Sequence, residues 1–328
     1  MSTLVTALDL PPGLLGRPMV PGDAERWAEL LAAVEAVDRI DENYDVDDCA
    51  EELAEPDLDL GNDSVLVLDG AVAVAYLLLR VRLGNGRSEL DADGRVHPAY
   101  RGRGIGTALL RLARASAEDR GHGLRVQAHE SITGAVELAR DTGLSPARYF
   151  STLTRDLAGP IVAVPPPAGS RLQVLGQPFD ADRWNEPLRA VRNAAFADHW
   201  GSVPVSAGTW AHNNTGTRSF HPGTSVVACA EDGVMVGFVM NYEFVADTAS
   251  TGRRDLYVGT VATVRAWRGR GLASAMLAAV LERGRAQGFD TSSLDVDAAN
   301  PTGALGVYER AGYALHARSI AFTSRSDA

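Results

Sequence analysis

Cysteine is scarce in this chain, which carries two thiols, Cys49 and Cys229, among 328 residues. Two cysteines in different parts of a chain do not form a disulfide framework, and such scarcity is typical of a reducing compartment. Cys229 lies in the apolar run 225–230, which favours a buried structural thiol over a nucleophile. The sequence therefore predicts a cytoplasmic protein without disulfides.

Long apolar runs and an excess of basic residues are lacking as well. No apolar run approaches the ~20 residues that a membrane-spanning helix needs, and no basic segment followed by an apolar core opens the chain, so we expect neither a membrane span nor an export signal. Acidic residues outnumber basic ones by 42 to 31, and the net charge of −11 disfavours non-specific binding to nucleic acid or to an anionic membrane. No His, Cys, Asp and Glu group has metal-ligand spacing, so no metal is expected.

Two glycine-rich stretches, 96–107 and 263–274, echo each other. Each follows a β-rich run and opens an apolar helix. Their first arginines, Arg101 and Arg268, are 167 residues apart, which is several times the period of a solenoid repeat. Because 328 residues suffice for two domains with separate cores, the spacing predicts a duplicated domain.

A glycine-rich turn between a strand and a helix is suited to binding an anion. Glycines let the backbone approach a ligand closely, and the first turn of the helix offers unpaired N–H groups and the positive end of its dipole to a pyrophosphate. Arginines within the turn, at 101, 103, 268 and 270, add positive charge. A P-loop and a dinucleotide-binding turn do not fit, since their Gly-Lys-Ser/Thr and G-x-G-x-x-G patterns are lacking.

Both stretches carry the pattern Arg-x-x-Gly-x-Gly/Ala, at 101–106 and 268–273. This pattern resembles the acyl-CoA pyrophosphate loop of the GNAT acetyltransferase superfamily, and the two copies together resemble its tandem-domain type, an arrangement similar to mycothiol synthase. The resemblance covers nearly the whole chain. It implies an α/β fold with two tandem GNAT acyl-CoA N-acyltransferase domains, each a mixed, mostly antiparallel sheet flanked by helices.

The resemblance also implies acetyl-CoA as the acyl donor, entering where neighbouring parallel strands separate before the glycine-rich turn. In the second copy the expected contacts with the pantetheine and the pyrophosphate are Val261, Ala262, Thr263, Val264, Arg268, Gly269, Arg270, Gly271, Leu272, Ala273 and Ser274. In the first copy they are Val96, Arg101, Gly102, Arg103, Gly104, Ile105, Gly106 and Thr107.

Three regions are expected on this basis: an N-terminal domain, 1–157, a Pro-rich linker, 158–170, and a C-terminal domain, 171–328. Three consecutive prolines make the linker extended and semi-stiff. Apolar periodicity predicts a helix over 24–37, and the acidic stretch 41–63 is interpreted as a solvated helix and loop.

The segment after the second glycine-rich turn looks like the GNAT pattern Asn-x-x-x-A-x-x-x-Tyr-x-x-x-Gly-Phe/Tyr, on a helix expected over 301–311. By resemblance, Asn300 would bind the pantetheine arm, and Tyr308 would protonate the departing thiolate as a general acid. The alternative for Tyr308 is a packed helix-face tyrosine. The first copy has Ser131 and Ala139 at the corresponding positions. We therefore expect the N-terminal domain to be non-catalytic, with acyl-CoA binding there left open.

The general base is harder to assign. Asp255 and Tyr257 share one face of the strand before the second turn, and Glu243 on the partner strand is expected opposite Asp255. Two carboxylates would then face the acceptor, unless they form a solvated hairpin end. In mycothiol synthase a glutamate on this strand serves as the base, and its place falls on Tyr257. His199 and Trp200 lie in the loop that covers the acceptor site in this fold, although a His-Trp pair is more often packing.

These residues predict a direct acetyl transfer from acetyl-CoA to the primary amine of a small polar molecule, catalysed in the C-terminal domain by a monomer or homodimer. One alternative is the mycothiol synthase reaction itself, with a cysteinyl-glucosaminyl-inositol acceptor. Another is a non-catalytic, CoA-binding regulatory protein. A third, acetylation of protein N-termini or lysines, would need an open peptide groove.

Overall fold

A computed structural model describes residues 8–84, 87–200, 202–300 and 303–324. Within it the chain divides into two compact units. The first comprises Met1–Tyr149 together with Arg318–Ala328, and the second comprises Phe150–Ala317. The α/β class predicted from the sequence is confirmed in each of them.

The first unit is a six-stranded mixed sheet with helices on both faces. Its strands are β1 (Leu15–Arg17), β2 (Ser64–Asp69), β3 (Val72–Gly84), β4 (Arg87–Val96), β5 (Gly123–His129) and, from the end of the chain, β12 (Ala314–Thr323), in the order β1-β2-β3-β4-β5-β12. Its helices are α1 (Ala24–Asp38), α2 (Val46–Leu53), α3 (Leu60–Asp63), α4 (Ile105–Asp119) and α5 (Thr133–Asp141). The β4–β5 pair is parallel, and the other pairs within the unit are antiparallel.

The second unit repeats this order. Its strands are β6 (Ser145–Asp156), β7 (Ser170–Val174), β8 (Val226–Ala230), β9 (Met235–Tyr242), β10 (Asp255–Thr263) and β11 (Thr291–Asp297), in the order β6-β11-β10-β9-β8-β7. Its helices are α6 (Ala181–Ala195), α7 (Ala207–Trp210), α8 (Val245–Thr251), α9 (Leu272–Ala286) and α10 (Ala304–Arg310). Here β10–β11 is the parallel pair.

Each sheet is buried on both faces because its strands carry apolar side chains at consecutive positions. In the first unit, Val65 and Val67 of β2 pack with α4 and α5, whereas Leu66 and Leu68 pack with α1 and α2. The second unit has the same two layers: α9 and α10 cover one face of the sheet, and α6 covers the other. Burial on both faces is typical of sheets that contain a parallel pair.

The two units exchange their last strands. Residues 150–156 of β6 lie in the second unit, where β6 pairs along β11, and Arg318–Ala328 lie in the first, where β12 pairs with β5. The linker expected over 158–170 belongs to the second unit. The compact units therefore differ from the expected domains, 1–157 and 171–328, by one strand each.

Three local expectations differ from the structure. The acidic stretch 41–63 is not merely solvated, because Cys49 and Leu53 of α2 are buried against α1. The connection between β9 and β10 contains a helix, α8, that was not expected. The helix expected over 301–311 begins at Ala304, and Pro301 lies outside the described residues.

Candidate active site

The two glycine-rich turns have the same backbone conformation. Gly102 and Gly104 have φ of 73° and 85°, and Gly269 and Gly271 have φ of 72° and 84°. Residues other than glycine rarely adopt these values, and a Cβ on any of the four would meet open space. Gly104 and Gly271 are the N-caps of α4 and α9, so the N–H groups of each first turn face the same open space. Both turns therefore fit the pyrophosphate of a CoA thioester.

The side chain of the first arginine of each turn forms hydrogen bonds within the protein. Arg268 donates to the carbonyl oxygens of Thr263 and Ala195, at 3.3 and 2.6 Å, and to the carboxylate of Asp198. Arg101 likewise donates to the carbonyl oxygen of Val96, at 3.1 Å, and to the carboxylate of Asp38. These arginines were expected to add charge for the anion, and the structure joins Arg101 to the end of α1 and Arg268 to the end of α6.

The second arginine of each turn lies against an aromatic ring. The Arg270 guanidinium lies 5.0 Å from the ring centroid of Trp267, and the Arg103 guanidinium lies 4.7 Å from that of Tyr100. Arg103 also donates to the carbonyl oxygen of Ala99. The positive charge that remains for a phosphate is therefore carried on the second arginine of each pattern.

Strands β10 and β11 separate in front of the second turn. Their parallel pairing joins Asp255–Tyr257 to Thr291–Ser293, and from Val258 to Thr263 the edge of β10 that faces away from β9 pairs with no strand among the described residues. At ~3.3 Å per residue this edge is about 20 Å long, comparable to an extended pantetheine arm. Val261, Ala262 and Thr263 lie along it, and Val264 follows directly after the end of β10. The gap between this edge of β10 and β11 is called the wedge below. It offers backbone N–H and C=O groups to an extended ligand.

A β-bulge lies near the narrow end of this wedge. The register between β10 and β9 shifts between Val258 and Thr260, so Gly259 is an extra residue. A Cβ on Gly259 would lie 2.5 Å from the ring of Tyr242, which explains why glycine is required there. Strand β4 of the first unit pairs with β3 without such a shift.

Tyr308 lies on α10, which packs on the β11 side of the wedge. The side chain is 8% exposed and lies in the core cluster that also contains Leu294 and Val296 of β11. Its hydroxyl has no hydrogen-bond partner within the described part of the chain. Burial raises the pKa of Tyr308 to about 12. The side chain is therefore a protonated phenol with an unused hydrogen.

Asn300 lies in the turn between β11 and α10. Its N–H donates to the carbonyl oxygen of Asp297 at 3.0 Å, and its side chain is half-buried. In the first unit, Ser131 contacts the ring of His129, and Ala139 is a buried apolar side chain on α5. The first unit therefore has no phenol at the position of Tyr308.

Each of the two carboxylates expected to face the acceptor has a side-chain partner in the structure. Arg254 donates to both oxygens of Glu243, at 2.7 and 2.8 Å, and its guanidinium also lies 4.2 Å from the ring centroid of Phe289. Asp255 instead accepts a hydrogen bond from the hydroxyl of Ser293. Strand β9 ends at Tyr242, before Glu243, and Glu243 is neutralised by an arginine that follows α8. A catalytic role for Glu243 and Asp255 together stays a prediction, with Glu243 paired to Arg254 in the structure.

His199 and Trp200 lie in the turn that follows α6. The His199 ring packs against that of Phe196, with centroids 4.6 Å apart, and burial together with the nearby Arg268 lowers the pKa of His199. The residue beside it, Asp198, is the one that binds Arg268. The structure thus places this turn against the second glycine-rich turn, with His199 in a packing role.

Asp295 is a residue that the sequence interpretation missed. It lies on β11, two positions beyond the last residue paired with β10, and it accepts a hydrogen bond from the hydroxyl of Tyr257 at 3.1 Å. The signal was present in the sequence, because polar residues at 293, 295 and 297 alternate with the buried Leu294 and Val296. That alternation places Asp295 on the face of β11 opposite to α10.

Comparison with known proteins tests the family that these features imply. The profile described as the Acetyltransferase (GNAT) family matches the chain twice, over residues 27–143 and 186–313. The chain belongs to the GNAT acetyltransferase family. The two matches confirm the predicted duplication and the recognition of the tandem type.

Two relatives of this GNAT protein are described by name and organism. A mycothiol acetyltransferase of Brachybacterium faecium is 32% identical over 245 residues, which cover 73% of this chain and 68% of the relative. A mycothiol acetyltransferase of Thermobispora bispora is 33% identical over 223 residues, which cover 66% and 70%.

Solved structures show the same fold over nearly the whole chain. A GCN5-related N-acetyltransferase from Sphaerobacter thermophilus superposes with a TM-score of 0.69 at 28% identity, and the match covers 96% of both chains. A tandem GNAT protein from the clavulanic acid biosynthesis pathway gives 0.72 at 20% identity, covering 96% of this chain and all of the other. The second likeness concerns the fold alone.

Membership of this family defines the reaction class. The GNAT protein is an N-acetyltransferase, and acetyl-CoA is its acyl donor. Within the described residues, no helix is long and apolar enough to cross a membrane. No group of three or more His, Cys, Asp and Glu side chains in that same part of the chain is arranged to hold a metal ion.

Proposed function

We propose that the C-terminal half, 171–328, catalyses the acetyl transfer and that its acceptor is the primary amine of a small polar molecule. The observation that carries this proposal is the phenol of Tyr308, which is buried beside the wedge and keeps an unused hydrogen. A thiolate that leaves a thioester needs a proton, and a phenol within reach supplies it. Bound acetyl-CoA supplies the activated acetyl group, and Asn300 together with the β10 edge orients it.

The N-terminal half, 1–157, is proposed to bind acetyl-CoA without turning it over. Its turn has the same glycine conformations as the second turn, which supports binding. Its buried Ala139 has no proton to give to a thiolate, which supports the absence of turnover.

A second candidate acceptor follows from the relatives. Both are named mycothiol acetyltransferases, and this supports a cysteinyl-glucosaminyl-inositol as the amine. Such a molecule is itself a small polar primary amine, so both candidates use the same chemistry at the wedge.

The test compares the wild type with Gly271→Val and Gly104→Val. Acetyl-CoA is titrated by calorimetry, and turnover is followed by the loss of thioester absorbance with a panel of amines that includes glucosamine and cysteine amide. Thioester absorbance is preferred to thiol detection because a cysteine-containing acceptor carries a thiol of its own. The chain contains no lysine, so thioester loss cannot come from acetylation of its own ε-amines.

We expect two binding sites in the wild type, one in each variant, and turnover in the wild type and in Gly104→Val. A β-branched residue at a φ of 84° or 85° is strongly disfavoured, although its side chain meets no neighbour. Turnover lost in a folded Gly104→Val variant would contradict a catalytic role confined to the C-terminal half. A wild type inactive with every amine would contradict the acceptor class.

A further inference from the structure

We propose that Asp295 takes the proton from the acceptor amine, an inference that rests on the proposed function of the C-terminal half. Asp255–Tyr257 of β10 pairs with Thr291–Ser293 of β11, and Asp295 is two residues further along β11, where the strands have separated. It therefore lies at the narrow end of the wedge that β10 lines from Val258 to Thr263.

The hydrogen bonds of Asp295 leave its charge uncompensated. The hydroxyl of Tyr257 donates to Oδ2 at 3.1 Å, and the hydroxyl of Thr152 donates to Oδ1 at 2.6 Å. Both donors are neutral, and no arginine pairs with Asp295 among the residues that the structure describes. The two hydroxyls hold the carboxylate in one orientation, and each oxygen keeps a lone pair for a third donor.

The other carboxylates near the wedge are bound to other groups of the protein. Glu243 accepts two hydrogen bonds from Arg254, and Asp255 accepts the hydroxyl of Ser293. Asp297 accepts the N–H of Ala299 and so stabilises the turn that leads to Asn300. Asp295 is exposed, so a proton that it takes can pass to water.

The first unit gives an internal comparison. Leu90 pairs with Leu124 as Leu256 pairs with Ser292, and this register places Gln127 where the second unit has Asp295. The Gln127 amide donates to the hydroxyl of Ser319 at 2.8 Å. An amide cannot accept a proton from an ammonium group at neutral pH, so the half that lacks the phenol also lacks the carboxylate.

The surroundings of Asp295 favour a cationic acceptor. The Tyr257 ring lies 5.7 Å from that of Phe244 and 6.5 Å from that of Tyr242, so aromatic surface adjoins the carboxylate. Ammonium groups bind next to aromatic rings as well as to carboxylates. Tyr257 of β10 donates to Asp295, with Asp255 two residues before it on that strand; Asp297 lies two residues further along β11, and β6 contributes the neutral Thr152.

The proton balance of the step is complete. Asp295 takes one proton from the ammonium and passes it to water, and the nitrogen lone pair then forms the C–N bond. Asp295 accepts the second nitrogen proton while the C–S bond breaks. The electron pair of the C–S bond goes to sulfur, and Tyr308 protonates the resulting thiolate. The proton on Asp295 returns to Tyr308 through water. The net products are the amide, the CoA thiol and one proton.

The test is Asp295→Asn, with an acceptor that the wild type turns over. Asparagine keeps the shape, its Oδ1 can accept one hydroxyl, and its NH₂ can donate to the oxygen of the other, so calorimetry should show unchanged binding of acetyl-CoA. We expect kcat/KM near neutral pH to fall at least ~10²-fold and to recover as the pH rises towards the free-base range of the acceptor. An alkoxyamine, which is a free base at neutral pH, should show a much smaller defect.

The matched control is Asp232→Asn in the exposed turn between β8 and β9, where the carboxylate accepts the N–H of Val234. An amide oxygen can accept that N–H as well, so activity should not change. A defect of Asp295→Asn that is the same at every pH and for both kinds of amine would overturn the proton-transfer role, as would wild-type activity. If the wild type itself acetylates no amine, then the proposed function falls and this role falls with it.

Discussion

Arg268 donates a hydrogen bond to the carboxylate of Asp198 at 3.1 Å, and this contact ties the second glycine-rich turn to the end of α6. The same guanidinium binds the carbonyl oxygens of Thr263 and Ala195. These contacts hold the turn, and with it the start of α9, in place without a ligand. Arg101 likewise binds a strand-end carbonyl, that of Val96, and a carboxylate, that of Asp38, so these two contacts are shared by the repeat.

Replacing Arg268 should weaken acetyl-CoA binding without changing the chemistry. Charge-assisted hydrogen bonds contribute about 1.5–3 kcal/mol, so Arg268→Ala should raise the KM for acetyl-CoA at least ~10-fold. Arg268→Lys should restore part of the loss, because an ammonium reaches one acceptor where a guanidinium reaches three. Steady-state kinetics at saturating acceptor measure both effects. An unchanged KM in Arg268→Ala would show that acetyl-CoA binding does not depend on the hydrogen bonds of Arg268.

Tyr308→Phe removes the proposed proton donor and little else. The ring remains in its cluster, so acetyl-CoA binding should be nearly unchanged, while kcat should fall at least ~10²-fold. Calorimetry and steady-state turnover separate the two quantities. A variant with full activity would exclude Tyr308 as the general acid.

The pKa of Tyr308 also predicts a pH profile. A phenol donates only while protonated, and a pKa raised to about 12 keeps it protonated at every lower pH. The rate at saturating substrates should therefore show no decline from loss of this proton up to about pH 10. The check is a wild-type pH–kcat profile. The loss of the phenol proton, which forms a phenolate, can be followed by ultraviolet absorbance. A falling limb near pH 8 that disappears in Tyr308→Phe would contradict the raised pKa.

Because the units exchange their last strands, a mutation in the last strand of one half of the sequence should destabilise the unit formed mainly by the other half. Phe322 and Leu153 are fully or almost fully buried, and they lie in the first and second unit respectively. Phe322→Ala should cost ~3–5 kcal/mol and Leu153→Ala ~2–5 kcal/mol. Amide hydrogen exchange should therefore rise in β5 for Phe322→Ala and in β10 and β11 for Leu153→Ala.

The opposite pattern of hydrogen exchange would contradict the exchange of strands between the units. If each half of the sequence folded around its own last strand, Phe322→Ala would raise exchange in β10 and β11, and Leu153→Ala would raise it in β5. Comparing the two variants under the same conditions distinguishes the arrangements, because each serves as the control for the other.

The sequence was sufficient for much of the fold and part of the site. The helices at 24–38 and 272–286 follow from apolar spacing, and the glycine-rich turns follow from the pattern that begins at Arg101 and Arg268. Helix α8 and the burial of Cys49 did not follow, because short polar helices carry weak periodicity and α2 is held by packing on α1. Glu243 looked available in the sequence, since nothing in the chain order shows that Arg254 returns to it.

By itself the sequence determined that a domain is duplicated, that each copy has a glycine-rich turn before a helix, and that the second copy alone has Asn300 and Tyr308. Those features are local, because spacing along the chain fixes a turn or a helix face. The tertiary structure decided which unit each final strand completes, which cation neutralises Glu243, and that Tyr257 donates to Asp295. Each of these joins residues that are distant along the chain, and strand pairing and packing, which depend on the whole fold, determine such contacts.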